Sequence, residues 1–295
     1  DHSRASLPPP LAHAFVPDTP DATYQAGVAR LVAHIGDGDV FQANLTRGWT
    51  GTLPAGTDLL GLARHLYAAS PAPYSAVWSV GDHTLICNSP ERFLSVSPSG
   101  VVSTCPIKGT RPRHADPAQD AAHVADLPQD PKERAENLMI VDLMRNDLGR
   151  VCAPGSVRVT RLFEVETFAN VHHLVSEVQG QLVDNKTARD LLLDSFPPGS
   201  ITGAPKVRAM QLLNTLEPPR GPYCGSLFWI GDDGAMDSSV LIRTLALTRT
   251  EAGFAFRAAA GAGIVADSRP EAECAETHTK ISRIRAALIL AEDQP

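Results

Sequence analysis

Cysteine is scarce in this chain and badly spaced for a framework. The five residues Cys87, Cys105, Cys152, Cys224 and Cys274 are odd in number and include no C-x-x-C pair, so neither a disulfide cage nor a thiolate zinc site is expected. The ten histidines never form H-E-x-x-H, which disfavours transition-metal chemistry. Basic charge is also short: 26 Lys and Arg against 33 Asp and Glu leave a net charge of −7. No basic run marks a phosphate-binding surface, which excludes nucleic acid as the expected partner. No apolar stretch approaches the ~20 residues of a membrane-spanning helix, and the first residues lack a secretion layout, so a cytoplasmic protein is expected. A G-x-S-x-G elbow and an evident Cys–His nucleophile pair are missing too, and hydrolase readings lose ground.

What is present is ordinary globular composition, with 43% hydrophobic and 20% charged residues. Residues 1–20 hold Pro8, Pro9, Pro10 and Pro17 and read as a proline-rich lead-in or linker remnant, leaving 21–295 as one large domain. Apolar spacing predicts helices over 24–35, 59–67, 118–126, 132–148, 190–196, 205–216 and 270–291. Alternation and turn residues predict strands over 40–49, 74–80, 84–88, 92–96, 101–104, 157–165, 171–182, 223–230, 240–248 and 253–260. Strand blocks separated by helices, without strict βαβ alternation, predict an α+β fold of antiparallel sheets packed as a sandwich with helices outside.

Lys108 stands out first, an amine set between Pro106 and Gly109 and so placed to reach a ligand. Glu133 and Glu136, and again Glu273 and Glu276, are three apart on predicted helices, so each pair projects from one helix face. Such pairs suit an oxygen-loving cation such as Mg²⁺, and they equally suit solvated acidic helix faces. Residues 199–206 (Gly-Ser-Ile-Thr-Gly-Ala-Pro-Lys) run into a helix start, which suits an anion or an ordinary turn; Pro205 rules out a Walker A loop. Gly261-Ala262-Gly263 permits close backbone approach. Arg243 interrupts an apolar run and either meets a carboxylate ligand or alternates onto solvent. Neighbouring His172 and His173 must face opposite ways on a strand. Glu91, after a turn, is a candidate general acid or a strand-end salt-bridge residue.

The runs Phe41-Gln42-Ala43-Asn44-Leu45-Thr46, Ser89-Pro90-Glu91-Arg92-Phe93, Pro106-Ile107-Lys108-Gly109-Thr110, residues 135–147 (Ala-Glu-Asn-Leu-Met-Ile-Val-Asp-Leu-Met-Arg-Asn-Asp), Val171-His172-His173-Leu174-Val175-Ser176, 199–206 and 260–268 follow one another in a familiar order. Together, over about residues 23–290, they resemble the chorismate-utilising enzymes, and within them the aminodeoxychorismate synthase component I group. The resemblance implies that Glu136 and Glu276 bind Mg²⁺, with Glu133 and Glu273 holding its waters. It implies substrate contacts at Gly109, Thr110, Tyr223, Arg243, Gly261 and Gly263, joined by Gln42, Ser200, Thr202 and Ala262.

Two positions separate the branches of that family. Anthranilate synthases usually carry alanine where this chain has Lys108, and isochorismate and salicylate synthases carry a water-activating lysine where it has Gln42. The implied chemistry is attack of the neutral Lys108 amine at C2 of chorismate while Glu91 protonates the departing C4 hydroxyl, followed by ammonia at C4. A glutamine amidotransferase is the implied source of that ammonia, since no glutaminase triad is evident, and 4-aminobenzoate and folate the implied destination. His173 matches a histidine of the pyruvate-eliminating members. An anthranilate synthase-like lyase and a non-catalytic chorismate-binding domain are the alternatives. The resemblance also implies a further N-terminal region in family members, holding a tryptophan effector pocket in anthranilate synthases; this chain starts beyond it, so tryptophan control is not expected.

Overall fold

The structure, a computed structural model, describes residues 12–168 and 171–288. In chain order it runs β1 (Val16–Pro17), α1 (Asp21–Gly36), β2 (Gln42–Pro54), α2 (Leu59–Ala69), β3 (Tyr74–Val80), β4 (His83–Ser89), β5 (Arg92–Val96), β6 (Val101–Thr104) and β7 (Ile107–Pro112). Next come α3 (Pro117–Asp126), α4 (Pro131–Leu148), β8 (Arg158–Thr167), β9 (Val171–Gln181), α5 (Ala188–Ser195), β10 (Gly203–Ala204) and α6 (Lys206–Leu213). The rest is β11 (Ser226–Ile230), β12 (Met236–Val240), β13 (Thr244–Thr250), β14 (Gly253–Ile264) and α7 (Pro270–Leu288).

Period-2 alternation decides what each sheet buries. In the first sheet, ordered β1-β2-β14-β13-β4-β3 with β10 also on β2, Phe254, Phe256, Ala258 and Ala260 of β14 point to one face and pack with Leu62 and Leu66 of α2 and Ile281 and Ile284 of α7. Farther along the same face, Ala43, Leu45, Ala262 and Ile264 meet Val28 and Leu31 of α1 and Ala209 and Leu212 of α6. The second sheet is ordered β11-β12-β5-β6-β9, with β7 and β8 also on β9; it packs Phe93, Val102 and Val178 against Ile140 and Met144 of α4 and Leu191 of α5. Each fully enclosed Leu or Ile in these clusters contributes about 1.5–3 kcal/mol of burial. A small cluster of Leu85, Cys87 and Leu241, with Leu227 against it, joins the two sheets. The fold is therefore α+β, built of antiparallel sheets with helices packed on them. Among the described residues no helix is long and apolar enough to cross a membrane.

The departures from expectation lie where the chain changes sheet. The predicted strand 240–248 is split into β12 in the second sheet and β13 in the first. A continuous apolar run cannot reveal such a switch; the break is made by Arg243, whose φ of 49° is left-handed and costs a non-glycine residue about 1–3 kcal/mol. The reverse switch, from β4 to β5, passes through Glu91. Lys108, set between Pro106 and Gly109 where no strand is predicted, lies on strand β7, which bulges between Ile107 and Thr110 as it pairs with β9. Helix 205–216 stops at Leu213, and 270–291 is seen to Leu288, with 289–291 outside the described residues. Of the expected lead-in, residues 1–11 are outside the description; Ala12 is buried, and Val16 and Pro17 pair with Thr50 and Trp49.

Candidate active site

Both sheets contribute to one seam. On β2, Gln42, Asn44 and Thr46 face away from the helices, opposite the register of Gly263 and Gly261 on β14, where Gly263 pairs with Asn44 and Gly261 with Thr46. A side chain at Gly263 would meet the Gln42 amide nitrogen at 3.0 Å and the Lys108 Nζ at 3.4 Å, so glycine there leaves room for an amine from the other sheet. A side chain at Gly261 would collide with the Leu45 carbonyl at 2.8 Å. Gln42 is 0% exposed, yet neither its side-chain amide nitrogen nor its oxygen has a partner among the described residues. Leaving such a group unpaired costs about 1–3 kcal/mol, which points to a polar ligand beside Lys108.

Lys108 comes from β7, where Gly109 at φ +81° turns the strand past α4; a Cβ there would touch a Glu133 carboxylate oxygen at 3.1 Å. Helix α4 is held at this point by Asp130, its N-cap, which accepts from the Lys132 and Glu133 amides at 3.0 and 3.2 Å and from Arg111 of β7 at 2.9 Å. The Lys108 Nζ lies 3.7 Å from Glu136, and both side chains are about 15% exposed. On β9, His173 bonds the Thr110 hydroxyl at 2.9 Å, whereas His172 faces the other way and bonds Asp120 and Thr167, each at 2.9 Å. Burial, then the Arg243 cation, push the His173 imidazole below its ordinary value. Arg243 is itself partly buried, and its guanidinium has no hydrogen bond or ion pair among the described residues; burial lowers its pKa, with Glu91 opposing.

Glu91, at the other crossing, accepts the Ser200 hydroxyl at 2.6 Å. Desolvation raises its carboxyl above the ordinary range, while Ser200 and the cations Lys108, Lys280 and Arg243 pull the other way. A small cavity lined by Glu91, Pro106, Met144, Pro198 and Ser200 adjoins it, and Tyr223 lines a second with Arg220 and Thr244. Burial carries the Tyr223 hydroxyl well above its usual pKa.

Two of the expected contacts are turned elsewhere. The Thr202 hydroxyl donates to the Pro198 and Gly199 carbonyls within its own turn, and the Ala262 methyl is buried with Tyr24 and Val28. Lys206 is likewise committed, to Asp147 at 2.6 Å and the Ser195 carbonyl at 2.8 Å.

The four glutamates fall at the starts of α4 and α7 but are not drawn into one shell. Glu136 faces Lys108 and, at 3.9 Å, Lys132; Glu276 pairs with Lys280 at 2.6 Å; Glu273 accepts from Ser268 at 2.7 Å. Desolvation raises Glu133 and Glu273, and Glu136 and Glu276 respectively add to the rise. Crowded, half-desolvated carboxylates of this kind fit a hard divalent cation, which takes oxygen ligands and keeps several waters. The tighter grouping Asp21–Cys274–His278 is less suited, because the buried Arg47 guanidinium already lies 2.6 Å from Asp21 and 2.7 Å from His278. Lys280 was not foreseen: it bonds the Gly261 carbonyl at 2.9 Å and acts on Glu91. Its signal was present, four residues after Glu276 and seven after Glu273 on one helix face.

The family model for chorismate binding enzymes matches residues 2–286. The chain belongs to the chorismate-binding enzymes. Within this family it is 49% identical over 256 residues to aminodeoxychorismate synthase component 1 of Klebsiella aerogenes, covering 86% of this chain and 55% of that one. It is 44% identical over 274 residues to anthranilate synthase component 1 of Streptomyces coelicolor, covering 92% and 52%. The crystal structure of anthranilate synthase component I from Streptococcus pneumoniae superposes with a TM-score of 0.83 at 35% identity, over 94% of this chain and 60% of that one. The chain thus spans about half the length of the curated relatives it matches. The Arg243 guanidinium and the Gln42 amide, neither with a side-chain partner among the described residues, are groups that a carboxylate-bearing ligand can satisfy.

Proposed function

We propose that this chain aminates chorismate at C4 to give 4-amino-4-deoxychorismate, a cytoplasmic step toward 4-aminobenzoate and folate. The observation that carries the reading is the Lys108 amine, beside Gln42 and the bare backbone of Gly263 and within the field of Glu91. The Lys108 Nζ attacks C2 of the ring through its lone pair; the C2–N bond forms, both ring double bonds shift along C1, C6 and C5, and the C4–O bond breaks as Glu91 delivers its proton and water leaves. Ammonia then adds at C4, both double bonds shift back, and the C2–N bond breaks to release Lys108 as the free amine, leaving the enolpyruvyl group in place. Gln42 is no base at neutral pH, so its amide orients the substrate and does not activate water.

Arg243 takes the enolpyruvyl carboxylate, with Thr110, Tyr223 and the backbone at Gly109, Gly261 and Gly263 around it. Ser200 keeps the Glu91 carboxyl aimed. Mg²⁺ would be held by Glu136 and Glu276, with Glu133 and Glu273 on its waters, and when bound it would neutralise the ring carboxylate. Relatives named as component 1 support a second component, a glutamine amidotransferase that supplies ammonia.

Relatives named anthranilate synthase component 1 define the alternative, loss of pyruvate to give anthranilate. Incubation with chorismate, Mg²⁺ and ammonium, followed by mass spectrometry, separates the two. A product retaining the enolpyruvyl group is expected; anthranilate fluorescence without a second enzyme would defeat the amination reading. Arg243→Met is expected to raise the KM for chorismate about 10- to 100-fold, the value of a charge-assisted contact of about 1.5–3 kcal/mol, and an unchanged KM in steady-state assays would remove Arg243 from the substrate.

A further inference from the structure

Glu217 and Arg220 belong to none of the groups assigned above. They lie between α6 and β11, with side chains 7% and 16% exposed, and pair with each other. The Arg220 guanidinium donates from Nη1 to the Ile201 carbonyl and from Nη2 to the Asn44 carbonyl, both at 2.7 Å. Glu217 accepts from the Thr46 amide at 2.7 Å and the Thr46 hydroxyl at 2.8 Å. Arg257 of β14 closes the arrangement by donating to the Arg220 carbonyl at 2.8 Å.

Each anchor is next to a residue that faces the seam. Asn44 and Thr46 share a strand face with Gln42, Ile201 follows Ser200, and Tyr223 lies three residues beyond Arg220. A buried ion pair is a weak source of stability, because desolvating two charges offsets most of their attraction. What a guanidinium does supply is direction: a flat fork that bonds three groups at fixed angles, which a lysine ammonium does not reproduce.

We infer that the Glu217–Arg220 pair is a positioning clamp for the reaction, setting the Ser200 turn against Glu91 and the Tyr223 segment against strand β2. The inference rests on the amination reading for the identity of the reaction, and on the geometry alone for the clamp. Small displacements of reacting groups cost about 100-fold in rate. Arg220→Lys and Glu217→Gln are therefore expected to lower kcat for ammonium-dependent chorismate consumption about 100-fold, with KM changed less than about threefold.

A pair that merely holds the fold would lower the melting temperature and leave kcat intact well below it; wild-type kcat in folded Arg220→Lys would overturn the clamp. Amide exchange without substrate, followed by mass spectrometry, reads the clamp independently of activity. Faster exchange is expected in Arg220→Met and Arg220→Lys over 42–46 and 199–205, with the far strands β3 and β4 unchanged. Unchanged protection in those two segments would overturn the clamp, whether or not the wild type aminates chorismate. Wild-type protein that leaves chorismate untouched would sink the amination reading, and the exchange result would then decide the clamp by itself.

Discussion

Lys108→Ala is expected to cut ammonium-dependent chorismate consumption by at least ~10³-fold, the scale of losing a covalent nucleophile. Mg²⁺-dependent binding of chorismate should survive, because most of the groups assigned to its carboxylates lie off β7: Arg243 at the β12–β13 crossing, Gly261 and Gly263 on β14, and the glutamates on α4 and α7. Steady-state turnover and calorimetric binding of chorismate, measured on the same preparation, check both halves. Turnover at the wild-type rate would end the covalent mechanism. Loss of binding together with turnover would show that the amine serves mainly to hold substrate.

The second large effect is expected from Glu91→Gln. Glutamine keeps the shape and the contact with Ser200 but has no proton to give, so kcat should fall about 10²- to 10⁴-fold with a small change in KM. The pH dependence carries a sign. Burial raises the Glu91 carboxyl in the folded protein, so it stays protonated above the ordinary glutamate range, and activity should fall as pH rises through that raised value. The folded chain then holds a proton that the unfolded chain has released, and this group's contribution to stability declines over the same window, from the unfolded pKa upward. Both trends should be missing from Glu91→Gln in kcat–pH profiles and in melting curves taken across that range. A wild-type profile with no alkaline limb, or a Gln variant that keeps the limb, would take the acid role away from Glu91.

How far the residues alone could be read follows from which interactions are local. The strands 74–80, 92–96 and 101–104 match the structure to the residue, since alternation and turn chemistry are encoded within a few positions. The glutamate pairs were visible because helix periodicity places residues three apart on one face. The split at 241–243 was not, because an apolar run looks the same whether it stays in one sheet or changes sheet. Nor was the hidden commitment of Lys206 to Asp147, or of Thr202 to its own turn, since both depend on partners that only the fold supplies. The unpaired amide of Gln42 is the reverse case. The residue is singled out by its place in a motif, and the lack of a side-chain partner among the described residues is a property of the packed sheets alone.

The chain changes sheet at Glu91 and at Arg243, and this has a consequence for the order in which the protein becomes competent. A chain in which only the first sheet has formed owns Gln42 and the glycine cradle; one in which only the second has formed owns Lys108, Thr110 and His173. Neither half-built species can bring an amine and an amide to the same ring. On the amination reading, partly folded protein is thus chemically silent, and the first turnover is expected only once the two sheets have docked.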